Sequence, residues 1–134
     1  QPDIDLDTLT VTPNLVLSNP AEMRLVLRWM ALLHGRIDAS LAATTGVHQA
    51  EDAVKLILAG TDVVMITSAL LQHGADYTTT IIDGVRRWFA EHDYTSLDQG
   101  RGSLSQQNSP DPTAFERANY TETIASYVPH RHAT

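Results

Sequence analysis

Two apolar segments of this sequence end in small hydroxyl residues, Thr44-Thr45-Gly46 in the first and Thr67-Ser68 in the second. If the segments are parallel strands, the backbone N–H groups that follow them meet at one edge of the sheet and can hold a phosphate. Glycine at position 46 has no side chain to obstruct a close approach of the ligand. The predicted N–H donors are Thr45, Gly46, Val47, Thr67, Ser68 and Ala69. The alternative is that the hydroxyl residues only cap or turn the chain.

No catalytic residue and no metal ligand is predicted in this chain. Its 134 residues include no cysteine, which excludes disulfides, thiolate metal ligands and a cysteine nucleophile or base. None of the six histidines belongs to a cluster of the kind that binds a metal. His48 is placed to face the predicted phosphate, and its alternative role is that of an exposed loop residue. Trp29 and Trp88 fall on apolar helical faces, which predicts that both are packing residues.

Composition and charge limit the class of protein. Hydrophobic residues at 43% and charged residues at 19% are typical of a globular domain, but 134 residues are too few for a complete eight-unit barrel. The net charge of −7 offers no basic surface for nucleic acid or an anionic membrane. No apolar run could span a bilayer and no secretion signal is recognised, so we expect a cytoplasmic protein. Because the chain opens with Gln1 in an acidic connecting segment, we expect it to begin within a longer polypeptide.

The elements that must position the donors are predicted from hydrophobic periodicity and capping residues. A helix is predicted at 20–34, with Ser18 and Asn19 as candidate capping residues, Pro20 in its first turn and Gly35 after its end. The other predicted elements are strand 37–43, a helix from 51 that ends at Gly60, strand 62–68, one helical turn at 68–72 and helix 77–92. Gln49 is a weak N-cap for the second of these helices. Residues 1–14 are predicted to form a loop with an extended piece around 8–12, and 15–18 are either a short strand or the approach to the helix.

The alternation of strands and helices predicts the class of fold. Strands one βα repeat apart are typical of parallel strands with crossover helices, so the predicted fold class is α/β. Residues 1–105 carry these elements. Residues 106–134 are polar and rich in turn-forming residues, which predicts a C-terminal tail with one short helix at 112–120.

Two stretches of the sequence resemble the C-terminal part of the dihydroorotate dehydrogenase family, and in particular its bacterial dihydroorotate dehydrogenase-like members. They are "DASLAATTGVHQAEDAVKLILAGTDVVMITSALLQHG" and the later "WFAEHDYTSLDQGRGSLSQ", and the resemblance covers about residues 15–105. The family's glycine-rich loop, following helix and last strand correspond to Thr45-Gly46-Val47, to 50–60 and to 63–70. Many members have Gly-Gly where this chain has Thr45-Gly46. A threonine N–H can still donate, but we expect it to need an ordinary φ and more room.

The resemblance implies the C-terminal βα units of a (β/α)8 TIM barrel, in which the two loops bind the phosphate of FMN. It implies that the whole protein oxidises dihydroorotate to orotate, a step of pyrimidine biosynthesis, by hydride transfer to the flavin. The family's catalytic base and pyrimidine-binding asparagines lie on earlier parts of the barrel, so no catalytic residue is transferred to this chain. A missing N-terminal part would then precede this chain or come from another one. The alternative is a non-catalytic partial barrel that self-associates and binds a phosphate-bearing ligand.

Overall fold

Five helices and four short strands make up the regular structure of residues 2–116. The computed structural model describes residues 2–116 and residue 124; the end of the predicted short helix, 117–120, and the other residues of the predicted tail lie outside them. In chain order the elements are β1 (Pro2–Asp5), β2 (Thr10–Pro13), α1 (Met23–Leu33), β3 (Ala42–Ala43), α2 (Ala50–Ala59), β4 (Val63–Val64), α3 (Ser68–His73), α4 (Tyr77–Glu91) and α5 (Leu97–Gly100). Two 3-10 turns lie at Pro20–Glu22 and Pro112–Phe115.

The N-terminal residues form an antiparallel hairpin, where the sequence predicted a loop with one extended piece. Strands β1 and β2 pair with Ile4 opposite Val11. Because side chains alternate along a strand, these two apolar residues share one face and the Asp and Thr residues occupy the other. The Asp5 carboxylate accepts two backbone N–H groups of the turn, at 2.9 and 3.0 Å. Each strand has only four residues, too few for the alternation to stand out in the sequence.

The helices begin where local signals place them. Asn19 Oδ1 accepts the Ala21 N–H at 3.0 Å, and the 3-10 turn that follows leads into α1, so the helix predicted at 20–34 is confirmed. Helix α2 has a stronger cap than the sequence predicted. Oδ2 of the buried Asp52 accepts the N–H groups of His48 and Gln49 at 3.0 and 3.1 Å. The buried carboxylate therefore compensates for the weak cap at Gln49.

The central sheet is a parallel pair, β3 beside β4, as the βα order predicts. The strands are much shorter than predicted, because residues 37–43 and 62–68 form backbone hydrogen bonds with each other only at and next to the paired residues of β3 and β4. Leu41 O accepts the N–H groups of Asp62 and Val63 at 2.9 and 3.1 Å, and Ala43 O accepts that of Met65 at 2.8 Å. A strand is defined by its ladder, so apolar residues beyond the ladder do not extend it.

Two apolar clusters pack the helices around α2. The first joins α1, β3, α2 and α4 through Met23, Ala43, Val47, Ala53, Leu56 and Ile81, and the second consists of Val54, Leu58 and Phe89. Trp88 packs against the second cluster, as predicted. The same prediction is wrong for Trp29, whose side chain is 50% exposed on α1 beside the 63% exposed Leu25. Periodicity identifies a helical face, but the neighbouring elements decide whether that face is covered.

The segment after α5 packs against the helices, although its composition is that of a loop. The N–H groups of Gly102 and Leu104 donate to carbonyl groups of α2 at 3.0 and 2.9 Å, and that of Gln106 donates to Ala31 of α1 at 3.0 Å. The 3-10 turn Pro112–Phe115 lies within the short helix predicted at 112–120.

The described residues form two small sheets of two strands each, mixed with helices. The (β/α)8 barrel and the boundary after residue 105 stay predictions.

Candidate functional site

The carboxyl ends of β3 and β4 lie side by side, because the strands are parallel and adjacent. A cleft of about 230 Å³ opens at this edge. Five of the six predicted donor residues line it, whereas Ala69 is fully buried and lies outside the lining. The lining consists of Thr44, Thr45, Gly46 and Val47 from the first loop, Met65, Thr67 and Ser68 from the second, and Val16, Leu17, Ser18 and Glu22 from the segment before α1. The structure therefore brings the two predicted loops together and adds a third wall.

Two consecutive residues of the first loop have left-handed backbone conformations. The φ angles are +84° at Thr45 and +76° at Gly46. The expectation of an ordinary φ at Thr45 is therefore wrong. A β-branched side chain at positive φ is strained, by about 1–2 kcal/mol. The tertiary contacts of the loop impose a conformation that suits the Gly-Gly of the family better than it suits threonine.

The fold itself, rather than a ligand, requires glycine at position 46. A Cβ at this position would lie 2.6 Å from the backbone nitrogen of Met23 and 3.0 Å from the carbonyl oxygen of Asn19. The sequence predicted that the missing side chain would make room for a phosphate. In the structure it makes room for the start of α1, which fixes the loop against the third wall of the cleft.

Most of the predicted donors have no acceptor among the residues that the structure describes. Among residues 2–116 and 124, hydrogen bonds are absent for the N–H groups of Thr45, Val47, Thr67, Ser68 and Ala69. An unpaired N–H away from water costs about as much free energy as a lost hydrogen bond, and Val47 and Ala69 are buried. An anion bound in the cleft would be an acceptor for the four of these groups that line it, those of Thr45, Val47, Thr67 and Ser68. The exception is Gly46, whose N–H donates to Ser18 Oγ at 3.2 Å.

Ser18 connects the two loops, a role that the sequence pattern did not predict. Its hydroxyl accepts the Gly46 N–H and donates to Ser68 Oγ at 2.9 Å, while its own N–H donates to Ser68 Oγ at 3.0 Å. The sequence placed Ser18 beside Asn19 as a capping candidate, and Asn19 alone caps the turn before α1. The Ser18 hydroxyl is therefore available for the hydrogen bonds within the cleft. No local pattern reveals this, since Ser18 and Ser68 are 50 residues apart.

Two ionisable side chains lie at or near the cleft. Glu22 lines it, and its Oε1 accepts the Asn19 N–H at 3.2 Å. This carboxylate repels an anion in the cleft, and the sequence pattern did not predict it there. His48 is half-buried, with Nε2 at 3.4 Å from Ser18 Oγ. His48 therefore contacts the site through Ser18. The sequence allowed either a direct contact with the phosphate or an exposed position, and His48 has neither.

Residues 2–116 and 124 contain neither a cluster of metal-binding side chains nor a membrane-spanning helix. In that part of the chain no three His, Asp, Glu or Cys side chains are grouped as a metal ion requires. None of its helices has the length and hydrophobicity needed to cross a membrane. The polar groups that the cleft presents are backbone N–H and hydroxyl donors, together with the carboxylate of Glu22.

Comparison with known proteins points to the oxidoreductases as a class. No protein-family model matches this chain. A segment of 69 residues, which is 52% of the chain, is 26% identical to dihydropyrimidine dehydrogenase (NADP(+)), chloroplastic, of Arabidopsis thaliana. The match covers 16% of the length of that protein. It supports a broad oxidoreductase relationship and gives loose support to the resemblance to dihydroorotate dehydrogenases.

Proposed function

We propose that the cleft binds the phosphate group of FMN. The observation that carries this proposal is the convergence of two strand-end loops whose predicted donor N–H groups, except that of Gly46, have no acceptor in the described residues. A phosphate offers several oxygens to such donors without needing a basic side chain. The cleft volume of about 230 Å³ is smaller than the roughly 300–1,000 Å³ of sites that enclose a whole small molecule. We therefore assign to this chain the phosphate end of the cofactor only.

We further propose that the chain is the C-terminal part of a dihydroorotate dehydrogenase-like flavoprotein with a (β/α)8 TIM barrel. Bound FMN would accept the hydride when dihydroorotate is oxidised to orotate. This chain would hold and orient the cofactor, while the proton-accepting base would come from the rest of the protein. The resemblance and the similarity to a dehydrogenase of dihydropyrimidines both support this assignment. A cytoplasmic location belongs to the same proposal.

The test is a comparison of FMN with riboflavin, which has the same ring system but no phosphate. We expect the fluorescence of FMN to change on addition of the 134-residue chain, whereas that of riboflavin should not. Thr45→Trp and Gly46→Val should each abolish FMN binding. Gly74→Val is the matched control, because Gly74 also has a positive φ, +86°, but no atom lies within 4 Å of the place that a Cβ would take. Equal affinity for FMN and riboflavin, or FMN binding that survives both loop variants, would contradict the phosphate site.

The second candidate is a non-catalytic partial barrel that self-associates and binds a phosphate-bearing ligand. Two exposed surfaces favour it in the described residues: the apolar hairpin face, with Ile4 at 64% and Val11 at 72% exposure, and the outer edges of the two-stranded β3–β4 sheet. Sedimentation equilibrium distinguishes the candidates. A stable oligomer that binds phosphate but shows no preference for FMN over other phosphomonoesters would favour this second function. In the first candidate, a missing N-terminal part would cover the same surfaces.

A further inference from the structure

The Gly46 N–H differs from the other predicted donors because a hydroxyl oxygen already accepts it. Ser18 Oγ lies 3.2 Å from the Gly46 nitrogen, a neutral hydrogen bond at the long end of the usual range. A phosphate oxygen in the cleft would be a stronger acceptor for the same N–H, because hydrogen bonds to a charged oxygen are about twice as strong. Ser18 Oγ and the ligand therefore compete for one donor.

The surroundings of Ser18 allow its hydroxyl to give up that position. Ser18 Oγ donates to Ser68 Oγ at 2.9 Å, and His48 Nε2 lies 3.4 Å away. Both partners remain if the bond to Gly46 breaks, so the Ser18 hydroxyl is not left unpaired. Ser68 Oγ already accepts the N–H and O–H groups of Ser18, which leaves its own proton free to donate to an anion.

We propose that Ser18 acts as a latch, meaning that its hydroxyl oxygen accepts the Gly46 N–H in the ligand-free protein and that a bound phosphate replaces it as the acceptor. This inference rests on the proposed function and adds a residue that sets the affinity of the site. Because the Ser18–Gly46 bond must break on binding, Ser18 weakens phosphate binding. Replacing Ser18 by alanine removes the competitor, and a net hydrogen bond of ordinary strength corresponds to a gain of about three- to tenfold in affinity.

The experiment uses inorganic phosphate as the probe and the amide resonance of Gly46 as the reporter. In the free protein we expect the Gly46 amide to be protected from hydrogen exchange, and Ser18→Ala to remove that protection. Phosphate should bind about three- to tenfold more tightly to Ser18→Ala than to the wild type. Ser18→Thr, which keeps the hydroxyl, should restore both the protection and the wild-type affinity. Ser40→Ala is the matched control, since Ser40 is exposed and lines a different cavity.

A measurement on the wild type alone covers the case in which Ser18→Ala does not fold. Saturation with phosphate should shift the Gly46 amide proton downfield, as expected when a hydroxyl acceptor is exchanged for a charged oxygen. Two results would show that the latch is wrong and leave the phosphate site in place. In one, phosphate binds and the Gly46 resonance does not move. In the other, Ser18→Ala folds and binds phosphate no more tightly than the wild type. A third outcome is that the hydrogen-exchange protection of the Gly46 amide depends on Ser18 but neither the wild type nor any variant binds phosphate or FMN. That outcome would overturn both the proposed function and the displacement of Ser18.

Discussion

Gly46 and Met23 are in direct contact, so that a Cβ on Gly46 would lie 2.6 Å from the Met23 backbone nitrogen. Met23 is the first residue of α1 and is itself buried. The contact therefore fixes the first loop against the helix that carries the third wall of the cleft. Neither residue can move without changing both the packing of α1 and the geometry of the donors.

Gly46→Ala should destabilise the protein by about 2–4 kcal/mol. A Cβ at φ +76° costs about 1–2 kcal/mol, and the collision with the backbone of α1 adds about 1–2 kcal/mol more. The control is Gly74→Ala, which has φ +86° but no atom near the new Cβ and should cost only the conformational part. Urea unfolding followed by circular dichroism gives both values. A loss at Gly46 of no more than about 2 kcal/mol, the conformational part alone, would show that the contact with Met23 is not rigid.

Thr45→Gly should stabilise the protein by about 0.5–1 kcal/mol. Glycine relieves the strain of threonine at φ +84°, and the greater freedom of glycine in the unfolded chain offsets part of the gain. Thr44→Gly is the matched control. Thr44 is not among the residues with positive φ, so glycine there should lower the free energy of unfolding instead. Denaturation midpoints of the two variants should therefore move in opposite directions.

Glu22→Gln should raise the affinity for inorganic phosphate about fivefold. Removing one unit charge at roughly 8 Å from the anion, at an effective dielectric constant of about 40, changes the binding free energy by about 1 kcal/mol. Glutamine can still accept the Asn19 N–H, so the helix start is preserved. Glu51→Gln removes the same charge from α2, outside the cleft lining, and should leave the affinity within about twofold. Isothermal titration at low salt measures both, and equal effects would mean that only net charge matters.

The N-terminal hairpin should lose order in acid. The Asn14 side chain, as the main hydrogen-bond donor to Asp3, lowers the pKa of that carboxyl, and the backbone N–H of Thr8 does the same for Asp5. A group whose pKa is depressed on folding contributes stability above its unfolded pKa, about 4, and loses it as the pH falls through the folded value. Amide chemical shifts of β1 and β2 should stay constant from pH 7 to about 4 and change below it. With Asp3→Asn and Asp5→Asn together, the change in the shifts of β1 and β2 should be much smaller than in the wild type.

The helices of this protein could be predicted from the sequence because their determinants are local. Hydrogen bonds between residues four apart, the cap at Asn19 and the stop at Gly60 act within a few positions of one another. The order of strands and helices also indicated that β3 and β4 run parallel, and thus that their two following loops lie at one edge. The six predicted donors followed from that single topological argument.

Only the tertiary structure decided how the cleft is built. The length of the strands depends on their ladder partners, and the exposure of Trp29 depends on what covers α1. The positive φ of Thr45 occurs in the loop whose next residue, Gly46, packs against Met23. Ser18 reaches Ser68 across 50 residues of sequence, and Glu22 enters the cleft because the turn before α1 folds beside it. Such contacts join residues that share no local pattern. The sequence therefore determined which N–H groups follow the two strands, and packing determined which of those groups already have a hydrogen-bond partner.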